Sequence, residues 1–143
     1  MTIEDVTNKN FDEEIILSIN PVIINLFTPM MQLSFENEEK LAEIAEEYGD
    51  VVKICRMNLE EQPKLTELFE IDRLPLMLML HGGIIIKKVY DTPTKEEIIE
   101  EMELEKIREF RKKGIWYKPN RNYIPNYIRN ERWYMRPSGG KRA

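Results

Sequence analysis

Val22-Ile23-Ile24-Asn25-Leu26-Phe27, an apolar run rich in β-branched residues and set between Pro21 and Pro29, most constrains the fold of this chain. Such a run, without polar alternation, predicts a strand buried on both faces. Leu41, Ile44, Ala45 and Tyr48 follow at helical spacing and end at Gly49, which predicts an amphipathic helix from about Ser34 to Tyr48. Residues 51–58 then read as a second strand, giving a strand–helix–strand unit.

The flanking segments extend this unit. Residues 2–6 predict a short strand, and Asn10 a cap for a helix over 11–18, with Asp12, Glu13 and Glu14 near its positive end. Pro63 sits where a helix to Phe69 would start, because its missing N–H is harmless in a first turn. Residues 74–80 and 84–90 flank His81-Gly82-Gly83 and predict a hairpin. Thr94 and Glu97 match a capping box that opens one long helix over 94–113.

Composition narrows the chemistry. One cysteine, Cys55, excludes a disulfide within these 143 residues, and one cysteine with one histidine cannot supply a structural zinc site. No metal or cofactor is expected. Cys55, among alternating apolar residues, reads as a small buried hydrophobe, and His81 as a turn residue. The longest apolar runs are too short to cross a bilayer. No basic-then-apolar pattern opens the chain, so the expected compartment is the cytoplasm, or an organelle if a targeting segment has been removed.

Three stretches carry a family resemblance: Lys40-Leu41-x-Glu43-Ile44-Ala45-x-Glu47-Tyr48, then Asn58-Leu59-Glu60 with Pro63, then Leu74-Pro75-Leu76 before a strand. In order and spacing, over roughly residues 3–104, the chain resembles thioredoxin. The resemblance implies an α/β, thioredoxin-like fold with a central mixed sheet flanked by helices. It also places the two active-site cysteines of that family on Met31 and Ser34, and its buried strand aspartate on Asn25. The tryptophan, glycine and proline around those cysteines fall on Met30, Gln32 and Leu33.

Disulfide exchange needs a thiolate at a helix N-terminus and a second thiol to resolve the mixed disulfide. A thioether cannot ionise, and a serine without a base partner is inert. The emptied positions therefore predict a chain without redox catalysis, which has also lost the carboxylate that manages protons there. Arg56, matching a lysine beside that carboxylate, is left without an evident partner. In the family the loop surface, with a cis-proline at Pro75, holds an extended peptide. Met30, Met31, Leu33, Leu74 and Pro75 are thus a candidate partner surface, or else pack among themselves. Asp91, where the family keeps a groove glycine, should crowd or charge that path.

Charge separates the rest of the chain. Residues 1–105 carry 9 Lys/Arg against 24 Asp/Glu, and residues 106–143 carry 12 against 2. Cations and rings interleave in the second part: Arg111, Lys112, Lys113, Trp116, Tyr117, Arg121, Tyr123, Arg129, Arg132, Trp133, Tyr134 and Arg136. Such an asymmetry predicts an interaction tail, extended and irregular after Gly114 and punctuated by Pro119, Pro125 and Pro137. Arginine, tryptophan and tyrosine serve as anchors in protein interfaces; the same set neutralises phosphates and stacks on unpaired RNA bases. Alternatively the tail lies across its own acidic body, with Trp116 and Trp133 doing most of the holding. The sequence thus divides into a thioredoxin-like domain, 1–113, and a tail, 114–143. It reads as a non-catalytic scaffold subunit that binds protein subunits of a larger assembly through that tail. The alternatives are an RNA-contacting component of a ribonucleoprotein particle and a redox-independent peptide-binding chaperone.

Overall fold

β2 (Val22–Phe27) is the middle strand of a five-stranded mixed sheet, and all six of its residues are buried. The computed structural model describes residues 3–117 and 119. In the sheet, β1 (Glu4–Asp5) and β2 run parallel to β3 (Lys53–Asn58), while β2, β4 (Leu76–His81) and β5 (Ile84–Tyr90) pair antiparallel. The strand order is β1-β3-β2-β4-β5. Burial of β2 on both faces follows from period-2 alternation. Ile23 packs in one apolar cluster with Leu41, Ile44 and Met77, whereas Ile24 and Leu26 pack in a second with Ile15, Met57 and Phe69. Each fully buried aliphatic side chain contributes about 1.5–3 kcal/mol.

Helices cover both faces. α1 (Leu33–Tyr48) connects β2 to β3, and α2 (Pro63–Leu68) follows a short 3-10 turn with proline in its first turn. Gly82 and Gly83, at φ +62° and +83°, make the hairpin turn between β4 and β5. The fold is thioredoxin-like, as the resemblance implied.

Two expected helices differ. Over 11–18 the chain forms a π-helical turn, Asp12–Ile16, which Asn10 does not cap. The Asn10 Oδ1 instead accepts from the Thr7 N–H at 2.7 Å, and its Nδ2 donates to the Asp5 carbonyl. With the capping oxygen already engaged, no α-helical start is stabilised.

The single long terminal helix is two helices, α3 (Lys95–Glu101) and α4 (Leu104–Lys112), separated by Glu103 at φ +55°. Ile98 and Met102 lie on one helical stripe, but Leu104 and Ile107 would emerge on nearly the opposite side of a continuous helix at about 100° per residue. All four are buried, so the helix must reset its phase between Met102 and Leu104. The Thr94–Glu97 capping box at the start of α3 forms as expected.

Candidate functional site

The loop at the C-terminal end of β2 turns directly into α1. The Met31 N–H donates to the Thr28 carbonyl at 3.1 Å and the Ser34 N–H to the Met31 carbonyl at 3.2 Å. Met30 is 86% exposed and Leu33 51%, whereas Met31 is half-buried and Ser34 fully buried. Leu74 packs against the core and Pro75 is buried behind a cis peptide bond. The exposed part of the candidate surface is therefore Met30 and Leu33. Among the described residues the Ser34 Oγ has no hydrogen-bond partner, so no base is placed to activate it.

Beneath this loop the structure corrects two expectations. A carboxylate is present: Glu38, one turn into α1 from Ser34, reaches Asn25, whose Nδ2 donates to the Ser34 carbonyl at 3.0 Å and to Glu38 Oε2 at 3.4 Å. Arg56, which pairs with Asn25 across β2 and β3, has partners as well. Its Nε lies 3.3 Å from Glu38 Oε2 and 3.4 Å from Asp5 Oδ1, at ion-pair distance but without hydrogen-bond alignment. Its guanidinium carbon stands 4.4 Å over the Phe27 ring. A helix carboxylate thus lies between the strand amide of Asn25 and the Arg56 guanidinium. Burial raises the Glu38 carboxyl above the ordinary glutamate value, and Arg56 offsets part of that rise. The sequence signal was the i, i+4 spacing of Ser34 and Glu38.

Asp91 lies beside Pro75 and has a partner of its own. At φ +69°, its N–H donates to the Pro75 carbonyl at 3.0 Å and its Oδ1 accepts from Arg73 Nη1 at 2.9 Å. Arg73 also covers the Tyr90 ring at 4.1 Å. An exposed ion pair therefore stands beside the cis-proline loop. Cys55 is fully buried within β3, and burial pushes its thiol up to about 12.

The described part of the tail folds back onto the domain through Tyr117 rather than Trp116. Tyr117 packs against the core cluster of α1, α3 and α4, with its ring 4.8 Å from that of Phe110. Its hydroxyl donates to Glu103 Oε1, whose second oxygen takes the Lys87 Nζ at 2.9 Å. The Lys87 and Glu103 side chains are only 9% and 10% exposed. Trp116 stays 54% exposed under the Arg111 guanidinium, 4.3 Å from its ring. Lys112 and Lys113 are exposed. Arg121, Tyr123, Arg129, Arg132, Trp133, Tyr134 and Arg136 lie outside the described residues.

Among the described residues no cluster of metal-ligating side chains occurs, and no helix is long and apolar enough to cross a membrane. The thioredoxin family model matches residues 2–104. Similar proteins include a thioredoxin of Buchnera aphidicola subsp. Schizaphis graminum, 24% identical over 57% of this chain and 76% of the relative. Thioredoxin 1 of a Nostoc species is 24% identical over 68% and 92%, and a thioredoxin of Alicyclobacillus acidocaldarius is 26% identical over 64% and 87%. Since the family model spans most of the chain, and the sheet order and cis-proline loop accord with it, the protein belongs to the thioredoxin family.

Proposed function

We propose that this protein is a non-catalytic, cytoplasmic member of its family, an interaction subunit of a larger protein assembly held there by its C-terminal segment. One observation carries the reading. At the strand–helix junction, where disulfide exchange needs two thiols, the side chains are a half-buried thioether, Met31, and a buried hydroxyl, Ser34. The one thiol of the chain lies within the sheet with its pKa pushed far above neutrality, so a thiolate is scarce. The frame that would orient a dithiol remains, while the basic, ring-rich C-terminal segment has the composition of an interface anchor.

The test is affinity purification of the full chain and of a chain lacking residues 120–143 from the native source, each with and without nuclease. The truncation begins at 120 because Tyr117 belongs to the folded core. Loss of co-purifying proteins on truncation, insensitive to nuclease and with the body still folded, is the expected result. Unchanged association would refute the tail as anchor. Loss on nuclease treatment alone would move the reading to an RNA contact.

A further inference from the structure

The end of α4 sends the chain back along its own helix. Gly114, at φ +75°, donates its N–H to the Arg111 carbonyl at 2.9 Å, and the Ile115 N–H donates to the Phe110 carbonyl at 2.9 Å. These two bonds, with a left-handed glycine, close a helix and reverse the chain.

The reversed stretch is fastened to the domain. The Tyr117 ring packs on Phe110, its hydroxyl donates to Glu103, and Pro119 is buried. Glu103 also holds Lys87. Lys87 pairs with Met79, a member of the core cluster under α3 and α4, so it lies on the helix-covered face of β5. The chain is thereby led from the end of α4 to the end of α3, beside the edge of the sheet.

β5 is that edge, and among the described residues no strand pairs with its outer side. An open groove of about 330 Å³ runs between it and α3. Lys88, Val89 and Tyr90 border the groove from β5, and Glu97, Glu100 and Glu101 from α3. The Lys88 Nζ donates to the Glu70 carbonyl at 3.3 Å, and Glu97 is used in the capping box. Glu100 and Glu101 are exposed and make no ion pair among the described residues. Lys95, the one cation of α3, turns instead to Glu43 and Glu47 of α1.

We propose that residues 120–124 lie extended in this groove, with the Arg121 guanidinium facing Glu100 and Glu101. The start of the C-terminal segment is then a strap on its own domain, and residues 125–143 are left for a partner. This goes beyond the interaction-subunit reading and does not depend on it. Three acids alone would name no occupant; the path of the chain does. Glu100 and Glu101 precede by three and two residues the Glu103 that holds Tyr117. Arg121 is four residues beyond Tyr117, a reach of up to about 14 Å. Residues 120–143 carry six Lys/Arg against one Glu, the complement of this wall. Tethered so close, the segment meets the groove at a millimolar-scale effective concentration, which a second copy or a free basic peptide would have to exceed. RNA phosphates would be repelled by the carboxylates.

The test replaces Tyr123 by a photo-crosslinking residue in the purified full chain, irradiates a mixture of isotopically light and heavy protein, and maps the cross-links by mass spectrometry. The expected product joins residue 123 to the stretch 88–101 within one molecule. Glu100→Lys with Glu101→Lys should lower its yield roughly tenfold, the scale of two exposed charge pairs. Both positions are exposed and close a helix C-terminus, where cations are tolerated, so folding is spared. Cross-links only between light and heavy copies, cross-links only to another face, no cross-link, or indifference to the charge reversal would each overturn the proposal. The purified chain carries no partner, so the strap can fail while the interaction-subunit reading stands.

Discussion

At the C-terminal end of β2 the cations have met their opposites: Arg56 lies beside Glu38 and Asp5, and Arg73 beside Asp91. At the N-terminal end Lys53 is likewise paired with Glu14, and the exposed Leu17 and Ile19 border an open cavity. Charges already paired have little attraction left for a partner, so the two ends differ in their exposed apolar surface. In thioredoxin chemistry the first end is the working one. In this chain it carries Met31 and Ser34 where the resemblance places the two thiols, and its charges are engaged locally.

The largest effect expected from breaking this arrangement lies at the root of the C-terminal segment. Glu103→Gln leaves Lys87 buried without a counter-charge and should cost about 3 kcal/mol in urea unfolding. An unaltered midpoint would mean that the Lys87–Glu103 pair is not held out of water. Tyr117→Phe removes one hydrogen bond to that carboxylate but keeps the ring on Phe110, and should cost about 1 kcal/mol.

A smaller effect should come from Glu38, and its sign follows from linkage. Its native pKa lies above the unfolded value, so the folded chain keeps the proton longer as pH rises. Stability should therefore fall as pH climbs from the ordinary glutamate value of 4.5 through the raised one, and level off beyond it. Glu38→Gln should flatten that part of the stability–pH curve; an unchanged slope would show that the carboxyl is not perturbed by burial. The least change is expected from Arg73→Ala, which opens an exposed ion pair and should shift unfolding by about 0.5 kcal/mol or less. A larger loss would mean that the C-terminal end of β2 depends on that pair.

Much of the fold was legible because it rests on local patterns. The buried β2 run, the Thr94–Glu97 box and the hairpin glycines each announce themselves within a few residues. The helix break at Glu103 was legible in principle, since the apolar stripe jumps phase between Met102 and Leu104. At the site the identities of Met31 and Ser34 were legible, but not the contacts around them. Arg73 and Asp91 are 18 residues apart and meet only because the β4–β5 hairpin folds back. Glu38 reaches Arg56 only once α1 lies on the sheet. Trp116 was the more conspicuous residue by composition, yet it is Tyr117 that packs on the core and reaches the Glu103 carboxylate at the break.

The central claim, that interaction has moved away from the loop of Met30 and Leu33, is tested most directly by one quantitative comparison of co-purifying proteins. The full chain, the chain lacking residues 120–143, and Met30→Asp with Leu33→Asp are purified in parallel from the native source and measured by mass spectrometry. The truncation is predicted to lose the partners and the loop variant to keep them, since Met30 and Leu33 are exposed and can be changed without disturbing the core. Loss of the partners in the loop variant, with retention in the truncation, would contradict the claim.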